Sequence, residues 1–181
     1  LSADMDKTEK IVVVIEECRE ASIIVAVPDV NISSYKFTVT MDQQIVYGLG
    51  AIKGVGEGAI ESIVEQRKTG SYKDFQDFCN RVDLRRVNRR LMETLVKAGA
   101  LDKLGENRHS LFMAIPQAIK AAEQFKQATQ SGQTDLFGDS LFADSEQQAS
   151  VFKHYNEWNE QQRLVFEKES LGLFLSGHPI D

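Results

Sequence analysis

The sequence predicts a mainly helical α+β fold, in which a small N-terminal part with one helix and short strands precedes a tandem of helical hairpins. A flexible linker and a C-terminal helix complete the expected order. Two observations support this prediction: strand-like segments are confined to the first 47 residues, and apolar residues recur at helical spacing from residue 48 to residue 126. The chain has 181 residues, of which 42% are apolar, and this is enough to bury a core. We therefore divide the chain into residues 1–47, 48–126, 127–150 and 151–181.

The N-terminal part is expected to begin with a helix. Asp6 is predicted as its N-cap and Glu9 as the capping-box partner, and apolar residues at helical spacing extend the helix to about Ala21. A strand is predicted over residues 23–27, followed by a hairpin over residues 35–47. This part therefore supplies the β component of the fold.

A glycine-rich turn follows within the stretch YGLGAIKGVGEGAIESIV at residues 47–64. Glycines can adopt positive φ, so residues 54–56 can turn tightly with their amide hydrogens exposed. The next helix is predicted to begin at residue 57 or 58, and its first N–H groups, together with the helix dipole, suit a phosphate oxygen. The candidate phosphate-binding residues are Lys53, Gly54, Val55, Gly56, Glu57 and Gly58.

Apolar residues on the predicted helix support a hairpin. Ile60, Ile63 and Val64 lie at helical spacing, and they would pack on Leu49 and Ile52 of a preceding helix. The pattern resembles the helix-hairpin-helix motif, which binds the backbone of duplex DNA without reading its sequence. Ile60 departs from that motif, which usually has a small residue at this position. Glycine-rich turns are also common between helices that bind no ligand, and this alternative stays open.

Basic residues are concentrated in the hairpin part, although the chain as a whole carries a net charge of −6. Residues 48–108 contain 12 Lys and Arg against nine Asp and Glu, whereas the remainder contains nine against 18. A helix from Phe75 to Val82 and another after Asn88 are predicted to form a second, glycine-poor hairpin. Its candidate DNA-backbone contacts are Arg85, Arg86, Arg89 and Arg90. The alternative is a solvated helix face.

A long amphipathic helix and a polar segment follow. Apolar residues predict a helix from about residue 111 to 125, with a kink at Pro116. Residues 127–150 are rich in Gln, Ser, Thr, Gly and Asp, which predicts a flexible linker. Adjacent Leu and Phe residues within it indicate a docking peptide, QTDLF, in which both side chains enter one apolar cleft. Its candidate binding residues are Gln133, Asp135, Leu136 and Phe137. A second pair, Leu141-Phe142, lacks the glutamine.

The order of these motifs, with LVKAGALD at residues 95–102 and LGLFLSGHP at 171–179, closely resembles the alpha subunit of bacterial DNA polymerase III. The resemblance covers essentially the whole chain and implies a fragment that extends from the end of the fingers through the clamp-binding domain. A start at Leu1 without an initiator Met is consistent with an excised fragment. The family implies DNA synthesis by the full subunit with Mg²⁺. The metal-binding palm aspartates lie upstream, so we expect this chain alone to be inactive and to hold no cofactor.

The resemblance also implies partners: duplex DNA, the sliding clamp (beta subunit) and other subunits of the polymerase III holoenzyme. We expect a cytoplasmic protein in which Cys18 and Cys79 are reduced. The sequence contains no run of about 18 apolar residues, so no membrane span is predicted. Two other classes remain open. A helix-hairpin-helix DNA repair nuclease or glycosylase would use Lys53 or Asp74 in catalysis, and a protein-interaction scaffold would present its arginines to acidic partners.

Overall fold

In the computed structural model, which describes residues 1–5, 7–130 and 152–177, six α-helices and a three-stranded sheet surround one hydrophobic core. The mainly helical α+β fold predicted from the sequence is confirmed. The helices are α1 (Thr8–Glu20), α2 (Glu57–Gln66), α3 (Phe75–Arg81), α4 (Arg89–Lys97), α5 (Arg108–Gln130) and α6 (Glu160–Leu171). The strands are β1 (Val25–Ala26), β2 (Thr38–Val39) and β3 (Ile45–Val46). No helix within the described ranges is long and apolar enough to cross a membrane.

The N-terminal part contains α1 and the sheet, in the strand order β1-β3-β2. The central strand β3 pairs parallel to β1 and antiparallel to β2, and Gln43 has a φ of 58° in the predicted hairpin turn. The helix α1 ends close to the predicted residue, but its N-cap is Lys7, and no side chain caps it. Asp6 lies outside the described residues. The predicted cap by the Asp6 side chain therefore lies outside the part of the chain that the structure describes, and the helix itself begins at Thr8.

The first hairpin begins with a three-residue 3₁₀ helix, Leu49–Ala51, where the sequence predicts a short helix. The amide of Leu49 donates to Ser34 O at 2.9 Å, and that of Gly50 donates to Tyr35 O at 2.9 Å. The first amides of a helix have no acceptor within it, so these two bind a neighbouring segment. The 3₁₀ helix ends at Ile52, whose backbone is extended with a ψ of 128°. A Cβ on Gly48 would lie 2.7 Å from the Tyr35 carbonyl oxygen, so only glycine allows this close approach.

The second hairpin forms as predicted, from α3 and α4. Its helices have side-chain N-caps: Asp74 accepts a hydrogen bond from the Asp77 amide at 2.8 Å, and Asn88 accepts one from the Leu91 amide at 3.0 Å. The long helix α5 packs on both helices of the hairpin. It continues through Pro116, where the sequence predicts a kink, and extends to Gln130 as one helix.

The C-terminal segment packs back on the same core. The Asn107 side chain donates to Tyr155 O at 2.9 Å, which fixes the chain that leads into α6 beside the start of α5. The Trp158 ring packs edge-on against Phe112 and Phe166, with ring centroids 5.6 and 4.5 Å apart. Through these contacts α6 lies against α4.

A buried ionic network joins parts of the chain that are distant in sequence. The Arg108 guanidinium lies 2.8 Å from Asp102 Oδ1 and 2.8 Å from Glu167 Oε1, and the Glu167 side chain is fully buried. The other Glu167 oxygen, Oε2, accepts hydrogen bonds from the amides of Leu175 and Ser176, each at 3.0 Å. Burial opposes the charge, but the hydrogen bonds from Ser176 and Arg108 keep the pKa of Glu167 below its ordinary value.

We expect Glu167→Gln to destabilise the fold by about 3 kcal/mol at neutral pH, because it leaves the buried Arg108 without its second charged partner. Because folding lowers the pKa of Glu167, this carboxylate stabilises the native state above the unfolded pKa, and that contribution is lost as the pH falls through the folded pKa. The free energy of unfolding of the wild type should therefore fall below about pH 4.3. The fall should be smaller in the variant, as measured by urea denaturation between about pH 3 and pH 7.

The control is Glu169→Gln on the same helix, where the side chain is 60% exposed and pairs with Lys97. Its cost should stay below about 1 kcal/mol, with the pH dependence of the wild type. Equal costs for the two variants would contradict a dominant role for the buried network.

Candidate nucleic-acid interface

The first hairpin turn presents glycines to open space. Gly54 has a φ of 78°, in the left-handed region that glycine tolerates, whereas Gly56 has a φ of −76° and serves as the N-cap of α2. Only one of the two glycines therefore needs positive φ. A Cβ built on either residue would meet no atom within 4 Å, so this turn is open to a ligand.

The N-terminus of α2 has backbone amides without acceptors among the described residues. No side chain caps this ten-residue helix, and within the described residues the amides of Gly56, Glu57 and Gly58 have no acceptor. These amides and the positive end of the helix dipole suit an anion. Val55 is buried beneath them, and its amide donates to Ile52 O at 3.3 Å. Lys53 has an exposed side chain next to this turn.

Ile60, the departure from the helix-hairpin-helix pattern, is buried in the core. Ala59, the residue before it, is buried as well. Together with Ile63, which is fully buried, they form the inner face of α2. The larger side chain is therefore part of the packing that holds α2, and the amides at the start of the helix stay exposed.

Asp83 organises the second hairpin turn, which links α3 to α4. Its carbonyl oxygen accepts from the amides of Arg86 and Val87 at 3.0 and 2.8 Å, and its Oδ1 accepts from the Arg85 amide at 3.0 Å. The amide of Asp83 donates to Ser62 Oγ of α2 at 2.9 Å. The sequence analysis did not assign this role to Asp83. The signal was available, because an Asp side chain often accepts a hydrogen bond from the amide two residues later and so forms a turn.

The four arginines predicted as DNA contacts are exposed, and three of them have acidic partners. Arg85 is 92% exposed and lies 3.2 Å from Asp83 Oδ1. Arg89 lies 2.9 Å from Glu93. Arg90 has no ion-pair partner within the described part of the chain. The hydrogen bond from Arg85 lowers the pKa of Asp83 below its ordinary value, so this carboxylate stays charged and competes with any phosphate.

Arg86 brings the two hairpins together. Its guanidinium donates to Gly58 O of α2 at 3.4 Å and lies 3.5 Å from Glu61 of the same helix. A Cβ on Gly58 would lie 3.7 Å from Arg86 Nη1. The second hairpin turn therefore lies beside the start of α2. The amides there that have no acceptor among the described residues share one surface with the arginines.

Other basic residues of the second hairpin have structural roles. Arg81 donates to Ser71 O, Gln66 O and Gly70 O, and its guanidinium lies 4.6 Å from the centroid of the Tyr72 ring. Lys97 faces α6 instead of the turn, with its Nζ 3.1 Å from Glu169. The charge cluster seen in the sequence thus divides into a structural set and an exposed set.

The predicted clamp-binding residues Gln133, Asp135, Leu136 and Phe137 lie outside the described residues. The described chain before them ends beside the second turn, because Lys126 Nζ of α5 donates to Val82 O at 2.6 Å. Burial lowers the pKa of Lys126. Its ammonium group thus fixes the last part of α5 against the arginine-bearing turn.

Comparison with known proteins identifies the segment. A family model described as a helix-hairpin-helix motif matches residues 22–111. The whole chain aligns with proteins named DNA polymerase III subunit alpha: 47% identity in Vibrio cholerae serotype O1, 46% in Pseudomonas aeruginosa and 44% in Escherichia coli K12. The chain spans only 16 to 17% of the length of these relatives.

We expect Gly54→Ala to destabilise the fold by about 1 kcal/mol, because an L-residue is strained at its positive φ. Gly56→Ala should stay within about 0.5 kcal/mol of the wild type, because its φ is negative and the smaller entropy of the unfolded chain offsets a poorer N-cap. Urea unfolding of both variants measures the difference. Equal destabilisation would mean that the turn does not have this backbone conformation.

Proposed function

Because the chain is homologous over its whole length to a segment of DNA polymerase III alpha subunits, we propose that it binds the backbone of duplex DNA without sequence specificity and docks the sliding clamp. In this proposal the segment gives processivity to DNA replication by the longer polymerase. The observation that supports it most directly is the surface on which three amides at the start of α2, which have no acceptor among the described residues, adjoin the guanidinium of Arg86. Amides and arginines are both common donors to DNA phosphates.

The amides and the arginines would divide the work of binding. The amides of Gly56, Glu57 and Gly58 fit one phosphate at the helix terminus, and they carry no sequence information. The arginines of the second turn would contact neighbouring phosphates. Their present ion pairs are exposed, and such pairs contribute only about 0 to 1 kcal/mol each, so phosphates can replace the carboxylates.

The same surface predicts a modest affinity. Its five basic side chains are accompanied by four acidic ones, Glu57, Glu61, Asp83 and Glu93, so the local excess of positive charge is small. A protein that neutralises few phosphates binds weakly and loses affinity as salt rises. A second attachment is therefore needed for prolonged contact with DNA.

The docking peptide would supply this attachment. We propose that Leu136 and Phe137 enter an apolar cleft of the sliding clamp while Gln133 binds its rim and Asp135 occupies the adjacent position. A ring already on the duplex would raise the effective concentration of DNA at the hairpins, so the two weak contacts together exceed either alone. Lys126 would keep the start of the peptide segment near the second turn.

The catalytic activity belongs, in this proposal, to the rest of the polymerase. We propose that the Mg²⁺ of the parent enzyme is bound by palm aspartates upstream of this segment, as the family resemblance implies. We propose that this chain alone is inactive, and that the parent acts in the cytoplasm with other holoenzyme subunits. The repair-enzyme alternative loses support at Asp74, whose carboxylate caps α3.

Arg90→Gln should weaken duplex binding equally for two unrelated sequences and reduce the slope of log K against log salt by about 0.9, the value for one phosphate contact. Arg90 is suited to this test because it has no ion-pair partner among the described residues. The control, Lys68→Gln, removes the same charge near the opposite end of α2, at a residue that is exposed and paired with Glu65. It should leave the slope unchanged. Fluorescence anisotropy with short labelled duplexes measures both variants.

A wild-type affinity that does not fall between about 50 and 200 mM salt would contradict the electrostatic mechanism. Absence of duplex binding at low salt would favour the protein-interaction scaffold. Incision of damaged duplex would favour a repair enzyme.

The double variant Leu136→Ala, Phe137→Ala should abolish capture of the chain by the sliding clamp, because both side chains that fill the proposed cleft are removed. The matched control changes the pair without the glutamine, Leu141→Ala, Phe142→Ala, and should be captured like the wild type. A pull-down with immobilised clamp measures capture. If the first variant were retained as well as the second, the binding site would lie elsewhere in the chain.

A further inference from the structure

The C-terminal helix α6 contacts the first hairpin turn through its last carbonyl groups. The amide of Lys53 donates to Ser170 O at 2.9 Å, and the hydroxyl of Tyr47 donates to Leu171 O at 3.3 Å. A helix leaves its last carbonyls without partners of its own, so residues of the turn satisfy these groups. Tyr47 is fully buried, and Leu171 is fully buried beside it.

The end of α6 fits tightly against its neighbours. Gly172 follows the helix with a φ of 82°, and its amide donates to Lys168 O at 2.9 Å. A Cβ on Gly172 would lie 2.3 Å from Thr8 Cγ2 and 3.6 Å from Lys53 Nζ. The helix end is therefore enclosed between α1 and the first hairpin turn.

The same helix also contacts the second hairpin. Glu169 of α6 binds Lys97 at the end of α4, and the Lys97 ammonium lies 4.9 Å from the centroid of the Phe166 ring. The last residues of α6 thus connect the first hairpin turn with α4, the helix that follows the second hairpin turn. The matched helix-hairpin-helix model ends at residue 111, so α6 is not part of the recognised motif.

We propose that α6 is the positioning element of the phosphate-binding turn: its last two carbonyls hold Tyr47 and Lys53 so that the amides of residues 56–58 face the duplex before DNA binds. This inference rests on the proposed DNA binding. A turn fixed in its binding conformation loses less conformational entropy on association, so its affinity is higher. Because coupling between two equilibria is reciprocal, bound duplex also stabilises the docked state of α6.

The test uses the full 181-residue chain with Tyr47→Phe, which keeps the ring and removes the hydroxyl bonded to Leu171 O. The matched control is Tyr72→Phe, which removes a buried hydroxyl that donates to Ile63 O at 2.7 Å. The readouts are hydrogen exchange of the Lys53 amide by NMR and duplex affinity at about 50 mM salt with its salt slope.

In Tyr47→Phe we expect faster exchange at Lys53 and duplex affinity lower by roughly two- to tenfold, the effect of one buried hydrogen bond. The salt slope should not change, because the arginines are untouched. Tyr72→Phe should bind within about twofold of the wild type even if it is equally destabilised. A Tyr47→Phe affinity equal to that of Tyr72→Phe would overturn the proposal.

A second variant separates α6 from the other acceptor of the Tyr47 hydroxyl, Ala51 O at 3.4 Å. Gly172→Ala displaces the end of α6 through its clash with Thr8 and leaves Tyr47 and Ala51 unchanged. It should reproduce both effects. If the wild type binds no duplex, the proposed function fails, and exchange at Lys53 still decides the role of α6: unchanged exchange in both variants would show that α6 does not hold the turn.

Discussion

The ionic network around Arg108 is the constraint on which the arrangement of the helical part depends. A buried guanidinium is costly without charged partners, and here its partners come from the chain after α4 and from α6. Glu167 also fixes the chain that leaves α6, through the amides of Leu175 and Ser176. Two regions that are distant in sequence, residues 102–108 and residues 167–176, are therefore held together around one buried guanidinium. The orientation of α6, and with it the contact to the first hairpin turn, follows from this network.

The candidate DNA surface combines two hairpins with different chemistry. The first supplies backbone amides at an uncapped helix terminus, and the second supplies guanidinium groups on a turn organised by Asp83. The two hairpins form one surface because Arg86 donates a hydrogen bond to Gly58 O at the start of α2. In addition, Ser62 Oγ of α2 accepts a hydrogen bond from the Asp83 amide. The carboxylates interspersed among the arginines keep the net charge of this surface low, so the proposed contact with DNA would be reversible and would depend on a second attachment.

Much of the fold could be predicted from local signals in the sequence. Contacts between residues that are distant in sequence could not. The bounds of α4 and the cap at Asn88 follow from neighbouring residues, and so does the start of α2 after the glycine turn. The amides of Leu49 and Gly50 bind a segment near residue 35, a pairing that periodicity does not reveal. For the same reason the partners of Arg108 and the contact of Lys53 with α6 could not be predicted. The sequence does not distinguish Arg81 from the exposed arginines. In the structure the difference is that backbone carbonyl oxygens surround the Arg81 guanidinium.

The fixed positions of Gln130 and Phe152 limit how far the docking peptide can reach. The helix α5 has 23 residues and is about 34 Å long, and the chain at residue 152 returns to its opposite end, beside Ser110 and Leu111. Phe137 lies seven residues beyond Gln130, so the contour length keeps it within about 25 Å of that residue. In the proposed function, a clamp bound to this peptide would therefore surround the duplex close to the arginine-bearing turn, and the covalent geometry of the chain would restrict where along the DNA the ring lies.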